Sequence, residues 1–426
     1  AVYSRLSDCY YDSICNPALN NSFENNTVFE SDSLEMIFVN DDYMMMRPNG
    51  DYATILPSYY NLRDLGQVSS VKNQGSGGNC WAFSAMAALE SAILKSLNET
   101  YDLSEENMKN IMSRYSSYGW TMDTNVGGYD KMAVGYLTGW LGPVNESDDG
   151  YNDKDVLSPL LTSFIHVQNI AFLKRDKYTD NDAIKKAIME YGAVSTSIYW
   201  SGSYLKGKNY YYNGNSGANH AIAIVGWDDN YDKANFKNTP QGNGAWIIKN
   251  SWGTSGGDGG FYYVSYYDTR IAQPGRYVSY TFILNNTYQY DKIYQYDVQG
   301  RTDYFLNTTS TVWYKTRFAA TSDEYLAAVS TYFEKDTDWD LSVYVNGLLE
   351  ATKSGKSSAS YSTIDLDHLI ALKAGDIFEI AFRITVDGDA GVPISEYVSL
   401  NQETYRQNTS FVSYDGKTWV DFYELD

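Results

Sequence analysis

Residues 74–84 read QGSGGNCWAFS, a polar, glycine-rich turn that runs straight into an apolar segment at Cys80. The segment continues as CWAFSAMAALESAILKSL to Leu97, rich in helix formers and apolar on nearly every side, which predicts a buried helix over 80–97. The thiol therefore opens the helix. There the positive end of the helix dipole and unpaired backbone N–H groups favour a thiolate. Gly75, Gly77 and Gly78 keep side chains out of the approach to it. On this stretch alone a nucleophile, half of a disulfide and an ordinary core cysteine are all open.

The formal net charge of −21 over 426 residues argues against nucleic acid and anionic membrane surfaces as partners, since both need a clustered basic face. No stretch approaches the roughly 18 consecutive apolar residues of a membrane helix, so no membrane span is expected. The start AVYSRLSDCY lacks the basic opening and apolar run of a signal peptide. With 41 Tyr and 10 Trp the chain reads as extracellular and β-rich, and a biased genome composition explains the same counts equally well. The expected location is extracellular or cell surface, any signal peptide having been removed. Three cysteines make no disulfide framework; Cys9 and Cys15 are near enough in sequence to bridge, which leaves Cys80 as an odd thiol.

Residues 1–55 are polar and irregular and read as an accessory segment. DLSEENMKNIM predicts a second helix with Ser104 as N-cap, and DNDAIKKAIMEYG a third that ends on a glycine. AVSTSIYW, HAIAIVGWDD, GAWIIKNSW and GFYYVSYYD then follow as strand-length runs. A helical half followed by an antiparallel sheet half is an α+β layout with a cleft between the two. Beyond residue 285 alternating runs punctuated by NG and DG predict an all-β sandwich.

A catalytic thiol needs a base and donors for the oxyanion it creates. The chain has three histidines, and His220 is placed best, opening the strand HAIAIVG at the edge of the sheet half. His166 reads as core or surface, and His368 lies in the later β domain. A histidine base needs an orienting partner. Asn250, at the end of GAWIIKN, offers a side-chain carbonyl, with Trp252 to shield the bond; Gln74 offers an amide N–H to the oxyanion beside the Cys80 backbone N–H.

VKNQGSGGNCWAFSAMAALES, NHAIAIVGWDD and KNSWGTSGGDGGFYYVSYYD resemble the papain family of cysteine peptidases over residues 56–271. His220 falls inside the spacing of roughly 130–150 residues from the cysteine expected there, and Asn250 beyond it. The resemblance implies a two-lobed catalytic domain over 56–275, with Cys80 as nucleophile, His220 as base and acid, Asn250 as orienting residue and Gln74 as oxyanion donor. It makes Gly127 and Gly128 of NVGGYD substrate-backbone contacts, and sets Asp130, Ser197 and Ala221 by the pocket for the second residue before the cleaved bond. An acid there favours basic or polar side chains.

Gly77 stands where many relatives carry a disulfide cysteine, so the loop before Cys80 must be held otherwise. Too few histidines are present to grip a chain end, which favours endopeptidase action on polypeptide substrates, with no cofactor required. Residues 1–55 read as a pro-like segment of a zymogen or as a permanent wrap. Residues 285–426 resemble the lectin-like module of papain-type peptidases on clostridial and archaeal surfaces, which implies a cell-wall or surface glycan partner. The rival reading is an adhesin that keeps the peptidase fold as scaffold. DTDWD sets Asp336, Asp338 and Asp340 at alternate positions, a weak calcium candidate beside the plainer reading of a solvated acidic turn.

Overall fold

A computed structural model describes residues 56–284, 290–395 and 406–425 in full, and of the first 55 residues the backbone strands Val2–Leu6, Met44–Met46 and Tyr52–Thr54. The pro-like reading of 1–55 and the pairing of Cys9 with Cys15 otherwise lie outside the described residues.

The helix predicted over 80–97 is α1, Cys80–Leu97. Met86, Leu89 and Ile93 fall on one face of it and are 0% exposed, each contributing about 1.5–3 kcal/mol of burial. Against α1 pack α2, Glu105–Ile111, whose N-terminal N–H groups Ser104 caps through Asn107 N, and α3, Asp130–Thr138. Ser104 is the expected cap. α3 was not expected.

The sheet half is antiparallel: Val194–Ile198 pairs with His220–Asp228, which pairs with Ala245–Lys249, which pairs with Phe261–Ser265. α4, Asp182–Glu190, packs beneath it. A core around Trp227 and Trp246 fills this lobe, and a second around Trp81, Met86 and Tyr136 fills the helical one. The cleft runs between the two lobes. The sheet also takes in Ser279–Phe282, beyond residue 275, through pairing with Val194–Ile198.

The C-terminal part is the expected all-β sandwich. One six-stranded sheet runs in the order Leu348–Ser357, Thr337–Val345, Ile377–Val386, Thr311–Ala319, Ser410–Ser413, Val420–Asp421. The opposite layer holds Glu324–Phe333 and Ser360–Leu372. This layer does not stop at the domain edge: Ser360 and Tyr361 pair with Ala171 and Ile170 of Ile170–Leu173, which pairs in turn with Ser279–Phe282. One hydrogen-bonded sheet thus spans both domains. Tyr332 and Tyr361 of the sandwich are buried in the core of the helical lobe.

The acidic run at 336–340 differs from both of its expected readings. Most of it is strand, and the alternation that suggested a calcium loop sends Asp338 and Asp340 out from one sheet face. Lys356 pairs with Asp338 at 2.8 Å and Arg383 with Asp340 at 2.8 Å, while Trp339 between them turns into the core. Among the described residues no group of three His, Cys, Asp or Glu is arranged to hold a metal ion. No described helix is long and apolar enough to cross a membrane.

Candidate active site

Residues four apart share a helix face. One turn after Cys80, Ser84 Oγ donates to the carbonyl of Ile222 at 2.6 Å and lies 2.6 Å from Ser195 Oγ. This contact docks α1 on the strand His220–Asp228 and sets Cys80 one turn higher, level with its first residues. The N–H groups of Ala221, Trp81 and Cys80 itself face the sulfur. Those of Cys80 and Trp81 at the helix start are not taken by a side-chain cap, because Asn79, the residue before the helix, caps nothing. Cys80 is half-buried and unbridged.

His220 Nε2 lies 2.8 Å from Asn250 Oδ1. That oxygen also accepts from the backbone N–H of Ser251 at 2.8 Å, a group that can only donate. The amide orientation is thereby set, so the imidazole must carry its proton on Nε2 and present a lone pair at Nδ1. Trp252 stacks over the ring at 4.4 Å between centroids and 17° between planes, and Trp200 closes edge-on at 6.2 Å. Burial pulls the imidazole down to about 4, against a smaller upward pull from Asn250. Burial also pushes the Cys80 thiol up, opposed by the Ala221 N–H. Burial thus drives each group alone toward its neutral form.

Gln74 is buried and held on four sides. Its N–H donates to Ser251 O at 2.8 Å, its Oε1 accepts from Ser251 Oγ at 2.6 Å, its Nε2 donates to Gly77 O at 2.8 Å and its carbonyl accepts from Tyr151 OH at 2.8 Å. With Oε1 committed to Ser251, the amide nitrogen faces the loop before Cys80, where it donates to the Gly77 carbonyl. Ser251 was not singled out from the sequence, yet it links Gln74 to Asn250. Its place inside the NSWG run was the available signal.

The substrate-side residues divide. Gly128 packs under the Trp81 indole, where a Cβ would lie 2.3 Å from Nε1, while a Cβ at Gly127 would meet nothing within 4 Å. The pair is therefore flat on the helical side and open on the other. Asp130 begins α3 and is exposed. Ser197 and Ala221 are register partners across neighbouring strands, next to the pair Ile198 and His220. Tyr280, buried between Ser195 and the field of Asp130, joins this region without having been expected. His166 does not: it stacks on Trp140 at 3.6 Å, and burial lowers its pKa to about 4. Trp140 packs with Ile293, Ala327 and Leu369, toward the sandwich.

The description "Papain family cysteine protease" matches residues 56–281 and "Lectin like domain" matches residues 293–426. Mouse cathepsin K is 29% identical over 211 residues, which is 48% of this chain and 59% of the relative; cysteine proteinase 15A of Pisum sativum is 31% identical over 218 residues, 49% and 58%. The chain spans a little over half the length of these relatives. Among solved structures, the clostridial cysteine protease Cwp84 after propeptide cleavage superposes with a TM-score of 0.75 at 27% identity, covering 86% of this chain and 95% of the other. The cysteine protease and lectin-like domains of Cwp84, described as a surface layer associated protein of Clostridium difficile, superpose with a TM-score of 0.74 at 26% identity, covering 86% and 85%.

Proposed function

The chain belongs to the papain family of cysteine proteases, and we propose that it is an endopeptidase in which Cys80, His220, Asn250 and Gln74 carry the chemistry. The observation that carries this reading is the double acceptance at Asn250 Oδ1, from His220 and from Ser251, which leaves His220 Nδ1 as the free base. The Cys80 proton passes to Nδ1 as sulfur attacks the peptide carbonyl. The oxyanion meets the Gln74 amide and the Cys80 N–H, where preorganised donors are most effective. The imidazolium then gives its proton to the leaving amine, and a thioester remains. Water attacks it, losing a proton to His220, and the acid product leaves as Cys80 regains its own.

Endopeptidase action is supported by the position of His166, stacked on Trp140. It is not available to grip a chain end in the cleft. Export, surface association and a zymogen stage, with 1–55 as the pro-segment, are part of the proposal. They are supported by the likeness to Cwp84 in both domains. For the sandwich the proposal is a surface glycan as partner. A cavity of about 800 Å³, edged by Tyr296, Arg301, Phe305, Arg406 and Phe411, supplies aromatic and cationic groups suited to sugar rings.

The test is labelling by an epoxide probe selective for cysteine peptidases, together with the N-terminal mass of wild type and Cys80→Ala after incubation. One probe on Cys80, and trimming near residue 55 in wild type only, are the expected results. An unlabelled Cys80 in folded, trimmed protein would return the chain to the adhesin reading.

A further inference from the structure

The loop between Gln74 and Cys80 has no covalent tie, and the space where one would start is already occupied. A Cβ built on Gly77 would lie 2.5 Å from Asn79 Nδ2, 2.9 Å from Asn125 Oδ1 and 3.0 Å from Tyr151 OH. Polar groups from three segments converge on that point and bond to one another. Asn79 Nδ2 donates to Asn125 Oδ1 at 2.7 Å and to Tyr151 OH at 2.9 Å. The phenol passes its own hydrogen to the Gln74 carbonyl at 2.8 Å. Gly78 N–H donates to the Asn125 carbonyl at 3.0 Å.

The hydroxyl at the centre is held firmly. Tyr151 N–H donates to Glu146 Oε1 at 2.7 Å, and Asn152 N–H to Glu106 Oε2 on α2 at 2.9 Å. The Tyr151 ring meets Phe83 edge-on at 4.8 Å. Two residues on, Asp153 Oδ2 accepts from both Ser76 N–H and Ser76 Oγ, at 2.9 and 2.7 Å. Residues 151–153 thus lie across the loop like a strap. Burial pushes the phenol up to about 12, so it stays a donor throughout the working range.

We propose that Tyr151, backed by Asn79 and Asn125, is the positioning residue for the oxyanion donor, fixing Gln74 and the Gly77 carbonyl that directs its amide. The inference rests on Gln74 having that role. Removing the hydroxyl lets Gln74 drift from the oxyanion while the thiol and its base stay in place. A lost oxyanion donor costs about 100- to 1,000-fold in kcat, and a misplaced one a fraction of that, so the expected loss is about 10-fold.

The test compares wild type, Tyr151→Phe and Gly77→Ala by peptide hydrolysis and by alkylation of Cys80 with iodoacetamide, a displacement that forms no oxyanion. Gly77→Ala reaches the same network from the other side, by pushing its three members off. The inference expects kcat to fall about 10-fold in both variants, with KM and the alkylation rate within about twofold of wild type. Full kcat in both, or alkylation slowed in step with kcat, would overturn it. A wild type that alkylates but hydrolyses nothing would sink the peptidase reading beneath it, so the two failures are told apart.

Discussion

Asn250 Oδ1 receives two donors, His220 Nε2 and Ser251 N–H, each at 2.8 Å. The backbone donor orients the amide before the histidine makes its claim, so the tautomer is inherited from the chain trace. Replacing Asn250 by Ala removes the acceptor and leaves a ring that can rotate and carry its proton on either nitrogen. Steady-state kinetics should then show kcat lower by about 100-fold, the low end of what positioned acid–base catalysis supplies. KM should move little. A loss under threefold would mean that something else orients the ring.

The pH profile follows from burial of the same ring. In the proposed mechanism His220 must be neutral to take the thiol proton, and burial lowers its pKa from 6.5 to about 4. It therefore stays competent until pH falls through about 4, and the acid limb of kcat/KM is expected there rather than at the ordinary histidine value. Trp252, 37% exposed and stacked on the ring, is the wall between His220 and water. Trp252→Ala hydrates the imidazole and should move the limb upward, toward 6.5. An unmoved limb would show that desolvation by Trp252 is not the cause.

Much of this site was legible in the sequence because its residues sit in local runs that chemistry constrains. Cys80, His220, Asn250 and Gln74 each fall in a short motif, and α1 follows from unbroken apolar helix formers. α3 was not legible, because Gly135 interrupts its middle and lowers local helix propensity. In the fold that glycine is a contact, since a Cβ there would lie 2.5 Å from the carbonyl of Gln299. Tyr151 carried no signal either, as its partners Gln74 and Asn79 are remote in sequence. DTDWD misled by its spacing, because alternate acids suit both a metal loop and the wet face of a strand.

Under the cleft, Lys72 Nζ lies 2.9 Å from Glu90, 3.0 Å from Glu105 and 2.7 Å from Asp102. Burial disfavours its charge, but the Glu105 and Glu90 carboxylates outweigh this and hold it well above the usual lysine range. Lys72→Met takes the nearest cation from two carboxylates whose side chains are 1% exposed, Glu105 most of all, since Glu90 keeps Lys249 at 4.0 Å. Urea unfolding at neutral pH should show a loss of about 3–5 kcal/mol. Burial already raises the Glu105 carboxyl to about 8 against the pull of Lys72; without the lysine it rises further, so the folded variant gains this proton first as pH falls. The deficit should shrink toward about pH 5; one constant with pH would assign the loss to packing instead.

The shared sheet makes a prediction about cooperativity. Ala171 and Ile170 pair with Ser360 and Tyr361, Thr363 N–H donates to Asn169 Oδ1 at 3.0 Å, and Thr363 Oγ1 donates to the Gln168 carbonyl at 2.6 Å. Tyr361 is 2% exposed, and its ring belongs to the same core as Trp81 of α1. Two modules joined by a linker would melt separately, each losing only its own core. Here unfolding of the sandwich strips ladder bonds and buried aromatic area from the helical lobe, so calorimetry on the full chain should give one transition. Tyr361→Ala, which costs about 3–5 kcal/mol as a large core truncation, should lower that transition as a whole. It should also slow peptide hydrolysis at temperatures just below the melt. Two resolved transitions, with only the later one moved by Tyr361→Ala, would mean that the hydrogen-bonded continuity carries no energetic coupling between the domains.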